Sequence, residues 1–334
     1  MTQNLFITGV AGFIGSNTAE ALVSKGHRVV GLDNFAEVYP RAKKEFNLTQ
    51  IERAAPSPQH FQFVEGDLRD FDQVKEAMSG QAWDAILHLG AMAGVQPSIR
   101  DPELFYDVNI GGTLNVLNAA RAQGCPNILF ASSSSVYGGN ETLPFRESDS
   151  VDRPLSPYAA SKKSGELLCH SYHYLYDMSI ACLRFFTVYG PRQRPDLAIY
   201  KFTRAMLKDE DITLYGDGSS SRDYTYIDDC VVGILQTLNW LQGGNPERPR
   251  YDIFNLGESE SVSLHQMVHL LEKYLGKKAK KIYADYLPGD VYATYADLAH
   301  SQKTLEYQPQ IKIEEGLRRF CQWFQEEEIH QSWV

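Results

Sequence analysis

The sequence is short of positive charge, of paired cysteines and of long apolar runs. Its 32 basic residues are outnumbered by 42 acidic ones, a formal net charge of −10. A nucleic-acid groove or an anionic membrane surface needs a positive field, so neither partner is expected, and any anion must be held locally. The five cysteines, at 125, 169, 182, 230 and 321, contain no Cys-x-x-Cys pair and are odd in number. That pattern disfavours a disulfide framework or a metal site and implies reduced, structural thiols in a cytosol. No run of 18 apolar residues is present to span a bilayer. The opening MTQNLFITGVAGF carries no basic stretch ahead of its apolar residues, so no signal peptide and a cytoplasmic location are expected. Internal repeats and low-complexity linkers are also missing.

What is present is a chain of 334 residues, 43% hydrophobic and 22% charged, long enough for one large or two coupled domains. Apolar runs of strand length alternate with helix-length segments. The strands are NLFITG, RVVGLDN, FQFVEGD, AILHLG, NILFASS and SIACLRF; NTAEALVSKG, FDQVKEAMSG, 102–123 and 158–176 read as helices between them. Continuous apolar strands separated by helices predict an α/β fold, a doubly wound parallel sheet covered on both faces. Ligands in such folds bind at the carboxyl ends of the strands. After Arg184 the pattern becomes loop-rich, with helices expected over 198–207 and 264–275 and one more strand in YDIFNLG. A smaller, interleaved α/β region that caps a substrate is therefore expected in the C-terminal half.

Gly9, Gly12 and Gly15 form G-x-x-G-x-x-G directly after the first strand and open a helix. Without Cβ atoms the turn can be tight, and a pyrophosphate can approach backbone N–H groups at a positive helix end. Asp33 ends the second strand, 18 residues after Gly15, where a carboxylate accepts both ribose hydroxyls of a dinucleotide and repels a 2′-phosphate. NAD is expected over NADP. Asp67 in GDLRD and the small residues of HLGAMAG end the next two strands, where they either border the cofactor or mark plain sheet ends.

Tyr158 and Lys162 form Tyr-x-x-x-Lys, a spacing that also occurs at Tyr39/Lys43 and Tyr274/Lys278. The latter two lie in polar surroundings and read as solvated surface. Tyr158 follows Pro157, which pre-sets a helix start, so Tyr158 and Lys162 fall one turn apart on one helix face. A nearby ammonium is expected to lower the phenol's pKa, and a positive nicotinamide to lower it further, so that the tyrosine can act as a base near neutral pH. The strand before this helix ends in SSSSVYG, whose hydroxyls can reach the same substrate oxygen.

Together TGVAGFIGS, LDN, GDLRD, SSSSVYG, YAASK and RDYTYIDD resemble the extended short-chain dehydrogenase/reductase family over nearly the whole chain. The resemblance implies a Rossmann-type domain over 1–183 and 224–258 and a UDP-sugar-binding domain over 184–223 and 259–334. It implies tightly held NAD, with Tyr158 as base, Lys162 orienting it and binding the nicotinamide ribose, and Ser133 as the hydroxyl partner. Around the cofactor it places Phe13, Ile14, Asn34 and Leu68, then Leu89, Ala91 and Ala93, with Asn109, Ser132 and Phe185 completing the pocket. It also implies a homodimer paired through helices 102–123 and 158–176.

Related dehydratases carry an Asp-Glu pair before Val-Tyr-Gly, and decarboxylating relatives a Glu; here Ser134 and Ser135 stand there. The resemblance thus favours epimerisation through a 4-keto sugar, with NAD transiently reduced, over elimination. RFFTVYGPRQRPDLA is similar to the UDP-glucuronate 4-epimerases, in which Thr187 and Arg194 would face the C5 carboxylate. A guanidinium fork suits a carboxylate through two parallel hydrogen bonds. Arg222 is expected at the UDP diphosphate, Tyr215 and Asp290 at the uridine, and Ser98 and Ser135 near the sugar. Gly90 replaces the family's usual Ala, and Leu197 its common Met. A UDP-glucose or UDP-N-acetylhexosamine 4-epimerase, or an idle NAD-binding protein of the same fold, are the alternatives.

Overall fold

The computed structural model describes residues 2–244 and 249–334. The N-terminal part runs β1 (Asn4–Thr8), α1 (Phe13–Ser24), β2 (Arg28–Asp33), α2 (Arg41–Ala54), β3 (Phe61–Glu65), α3 (Phe71–Ala77) and β4 (Ala85–His88). Next come α4 (Val95–Arg100), α5 (Pro102–Tyr106), α6 (Gly112–Ala122), β5 (Asn127–Ser133), α7 (Pro157–Tyr176) and β6 (Ser179–Phe185). The remainder contains β7 (Thr187–Tyr189), α8 (Ala198–Leu207), β8 (Asp211–Tyr215), β9 (Ser221–Tyr226), α9 (Ile227–Gln242) and β10 (Tyr251–Leu256). It ends with β11 (Ser261–Ser263), α10 (Leu264–Leu275), β12 (Lys280–Ala284), α11 (Ala299–Leu305) and α12 (Ile313–Glu326).

Seven parallel strands form the main sheet in the order β10-β6-β5-β4-β1-β2-β3. Its strand residues alternate between two apolar clusters: Leu5, Ile7, Leu87, Leu129 and Leu183 pack on one face, Phe6, Ile86, Ile128, Phe130 and Ile180 on the other. Both faces are covered by helices, which is why the strands are apolar without interruption. The doubly wound fold expected from the alternation of elements is what forms. The chain reverses direction across the sheet beside β1, which pairs with both β2 and β4, so a crevice opens at their carboxyl ends. Smaller sheets, β11-β9-β7 and β12-β8, extend the C-terminal part, and their buried Val262, Ile212 and Leu214 belong to the same core cluster as Leu5 and Ile7.

Two local expectations are corrected. The segment 102–123 is not one regular helix: a π-helical turn, Asp107–Gly111, separates α5 from α6. Lys43 is not solvated: it lies on α2 with 1% of its surface exposed, ion-paired to Glu328 and surrounded by the rings of Tyr200, Trp323 and Trp333. The partner stands 285 residues away, beyond the reach of any local pattern. All five cysteines are buried and free. Among the described residues no helix is long and apolar enough to cross a membrane, and no cluster of ligating side chains could hold a metal ion.

Candidate functional site

At the crevice, Gly9 adopts φ +70° and touches the loop after β4 so closely that a Cβ would lie 2.6 Å from the Cα of Gly90. A Cβ on Gly15 would lie 2.1 Å from the Gly9 carbonyl oxygen. These contacts explain both glycines by close backbone approach. No side chain caps the first turn of α1 after Gly12, so its backbone donors, from Phe13 and Ile14 onward, remain for an anion. Asp33 ends β2 beside them, its carboxylate accepting from the N–H groups of Ala11 at 3.2 Å and Phe35 at 2.8 Å. Burial pushes the Asp33 carboxyl up, while Lys44, 3.8 Å away, pulls it back down. An uncapped helix end, a turn that excludes side chains and an acid at the ribose position fit a dinucleotide.

Asn34 and Asp67 meet at 3.0 Å across β2 and β3. The hydrogen bonds from Arg69 hold the Asp67 carboxyl down at about 2. Leu68, Leu89, Ala91 and Ala93 line the ends of the next strands, partly buried, and Phe185 is buried at the end of β6. Beneath the loop after β4, His88 is fixed in one tautomer. Thr113 gives its hydroxyl proton to the Asn109 carbonyl at 2.6 Å and so accepts from Nε2 at 3.0 Å; Nδ1 then accepts from Thr8, 2.7 Å away. Burial lowers the imidazole to about 3, so it stays neutral. Asn109 sits in the π turn, and its amide bonds the N–H of Met92 at 2.8 Å, the carbonyl of Met92 at 2.9 Å and the hydroxyl of Ser161 at 2.9 Å. The irregular turn thus bolts the loop after β4 to α7, one residue from Lys162.

Pro157 and the Ser156 cap, whose hydroxyl accepts from Ala159 N–H at 3.1 Å, start α7 and place Tyr158 and Lys162 on one face. Lys162, 4% exposed, donates to the Ala131 carbonyl at 2.8 Å, and its ammonium lies 6.0 Å from the centre of the Tyr158 ring. Ser133 ends β5 beside them, and its hydroxyl bonds Ser135 at 3.2 Å. Lys162 is not among the groups that act on the Tyr158 phenol. Burial raises the Tyr158 phenol, and the groups that pull it down are Ser133 and Arg194. Burial likewise lowers Lys162 to about 7. In a dry pocket desolvation is the largest influence on each group. The Ser132 hydroxyl is turned to Glu166, to which it donates at 2.7 Å.

Arg194 is mostly buried, with 17% of its side chain exposed, rather than a surface arginine of a Pro-rich loop. Its Nε and Nη2 donate to the two oxygens of Asp196 at 3.0 and 2.6 Å, and Nη2 also donates to the Ala93 carbonyl at 3.1 Å. Thr187 opens β7, and Ser134 and Ser135 lie in the single turn after β5. Further out, Arg222 and Asp290 meet at 3.3 Å. Tyr215 ends β8, 40% exposed. Ser98 is fully buried and gives its proton to the Val95 carbonyl at 2.7 Å. Sequence reasoning missed Asp196 and the Glu166–Arg184 ion pair; the carboxylate two residues after Arg194 was the only available signal for the first.

Residues 5–257 match the NAD dependent epimerase/dehydratase family. The chain belongs to this family, and its cofactor is NAD. It is 43% identical to an uncharacterised protein of Methanocaldococcus jannaschii, covering 97% of each. It is 40% identical to a UDP-glucuronate 4-epimerase of Thermodesulfobacterium geofontis, over 96% of this chain and 95% of that one. Among solved structures, the UDP-glucuronic acid 4-epimerase of Bacillus cereus in complex with UDP-glucuronic acid and NAD superposes with a TM-score of 0.88 at 34% identity, covering 96% of this chain and 99% of that one.

Proposed function

We propose that the protein is a UDP-glucuronate 4-epimerase, interconverting UDP-glucuronate and UDP-galacturonate through a 4-keto intermediate. The reading is carried by the proximity of Arg194 to the Tyr158 phenol, a cation for a sugar carboxylate beside a base for a sugar hydroxyl. NAD held at the Gly9–Gly15 turn and Asp33 would supply a hydride acceptor and donor for the sugar C4, and its positive ring would favour the phenolate. Tyr158 takes the proton of the 4-OH, with Ser133 sharing that hydrogen bond. Lys162 orients the phenol. The keto sugar turns about its diphosphate link, which Arg222 grips, and Tyr158 returns the proton on the opposite face. Uridine lies between Tyr215 and Asp290. The intermediate is a β-keto acid that can lose carbon dioxide; Thr187, Arg194 and the hydroxyls of Ser134 and Ser135 hold the carboxylate with no acidic side chain from the serine run beside it.

Incubation with UDP-glucuronate tests this, with products followed by NMR. UDP-galacturonate without UDP-pentose is the expected result; accumulation of a 4-keto pentose overturns it. If the natural substrate is an uncharged UDP-hexose, Arg194→Ala harms charged and uncharged sugars alike; the present reading requires selective loss on the carboxylated one. The division into a cofactor domain (1–183, 224–258) and a sugar domain (184–223, 259–334) follows the same reading. Leu114, Leu167, Tyr174 and Leu175 are exposed on α6 and α7 at 38, 57, 78 and 63%, which supports a homodimer through these helices.

A further inference from the structure

Asp196 occupies the side of the Arg194 guanidinium that a sugar carboxylate would be expected to take. Both of its oxygens are committed there, at 3.0 and 2.6 Å, and the third contact of that edge goes to the Ala93 carbonyl. Nη1 is the only arm of the guanidinium with no hydrogen bond among the described residues. Among the described residues Asp196 makes no hydrogen bond or ion pair other than those to Arg194. It precedes α8 by two residues, yet the helix has no side-chain cap and neither carboxylate oxygen accepts from its N–H groups. The two-pronged seat for the sugar is therefore already filled by the protein's own carboxylate.

We propose that Asp196 is a specificity and positioning residue that competes with the sugar carboxylate for Arg194, leaving the substrate a single arm of the guanidinium. The inference rests on the functional reading above and deepens it. An unshielded arginine in a partly buried pocket binds a carboxylate through two charge-assisted hydrogen bonds. Epimerisation at C4 requires the keto sugar to present both faces in one site, so the carboxylate must leave its first position before the proton can be returned. A fork-on-fork grip would tighten binding of the starting sugar and of the intermediate equally, and would arrest the turn. Asp196 neutralises the arginine in place, which keeps the carboxylate recognised but mobile. Tyr39, partly buried, lies within electrostatic reach of both Arg194 and Asp196.

The test compares wild type with Asp196→Asn and Asp196→Ala. In wild type, calorimetry is expected to give UDP-glucuronate an affinity no more than about tenfold above that of UDP-glucose, as one neutralised hydrogen bond allows. Freeing the fork is expected to tighten UDP-glucuronate about tenfold or more, leave UDP itself unchanged, and lower kcat. Reduced nicotinamide should then build up during turnover of UDP-glucuronate. A purely structural Asp196 predicts the reverse: weaker binding of UDP-glucuronate and of UDP, and no build-up. Weaker or unchanged UDP-glucuronate affinity in a folded variant overturns the proposal, as does a wild-type preference far above tenfold. Failure of the wild type to convert UDP-glucuronate at all instead overturns the functional reading.

Discussion

Glu166 and Arg184 meet through two hydrogen bonds of 2.9 Å with both side chains 1% exposed, and the same carboxylate accepts from Ser132 at 2.7 Å. Glu166 lies one turn beyond Lys162 on α7, and Ser132 directly precedes Ser133 on β5. Glu166 therefore fastens the helix that carries the base to β6 through Arg184 and, through Ser132, to β5, the strand that carries its hydroxyl partner. Glu166→Gln leaves the guanidinium buried without a counter-charge, a loss of about 3–5 kcal/mol. Urea unfolding should register it as a lower midpoint. Replacing both residues, by Glu166→Leu with Arg184→Met, should recover part of that stability. A midpoint for Glu166→Gln within error of wild type would show that the ion pair does not fasten the site.

Tyr158→Phe removes the proton acceptor while keeping the ring that packs edge-on against Phe105, 6.1 Å between centres. Turnover should fall about 10²–10⁴-fold, the usual contribution of a positioned acid–base group, with UDP affinity retained. Stopped-flow absorbance should show no reduction of bound NAD. Residual turnover near wild type would move the base elsewhere.

The fold was legible because its evidence is local: apolar runs, glycine turns and a proline before Tyr158 each act within a few residues. Asp33 and the Gly9 turn were readable for the same reason. Lys43 was misread as solvated because its partner, Glu328, comes from the far end of the chain. Spacing reveals the ammonium near Tyr158 but not the dryness of the pocket, and burial is the largest influence on the phenol there. Arg194 was read as an open fork, although the carboxylate that fills it stands two residues away. Adjacency in a loop does not say whether two side chains fold toward each other. Asp223, the second residue of RDYTY, accepts from Glu258, Ser259 and Ala296 N–H groups at 2.7, 3.0 and 3.1 Å, so this part of the motif serves architecture rather than ligand.

Lys162→Met should abolish most activity yet stabilise the fold below neutral pH. The folded-state pKa, about 7, lies well below the 10.5 of the free side chain. Between those values the unfolded chain binds more protons than the folded one, so wild-type stability rises with pH across that window. Below pH 7 the wild type must bury a charge that the methionine does not. Thermal unfolding should show the variant ahead by on the order of 2 kcal/mol at pH 6, with the gap closing toward pH 10. A gap that widens with pH would contradict the assignment of burial as the cause.

The Lys43–Glu328 pair allows a complementary prediction at the other end of the molecule. Glu328 Oε1 accepts from Lys43, from the Tyr200 hydroxyl at 2.7 Å and from the Trp333 indole N–H at 2.8 Å, so the C-terminal segment is tied to α2. The next residue of α2, Lys44, lies 3.8 Å from Asp33, the acid at the ribose position. Loosening this tie should therefore weaken the grip on NAD as well as the fold. Burial already lowers the Lys43 ammonium, opposed by Glu328. In Glu328→Gln that opposition is gone, and the amine sheds its proton more readily. The variant should be destabilised by about 3–5 kcal/mol at pH 6, where the lone charge is still buried. Its deficit should shrink as pH rises and the amine becomes neutral, since a lysine with a lowered folded pKa gains stability with pH. Thermal unfolding at pH 6 and pH 9, with NAD affinity measured alongside by calorimetry, tests both halves. A deficit independent of pH would mean that the lost hydrogen bonds, not the stranded charge, carry the cost.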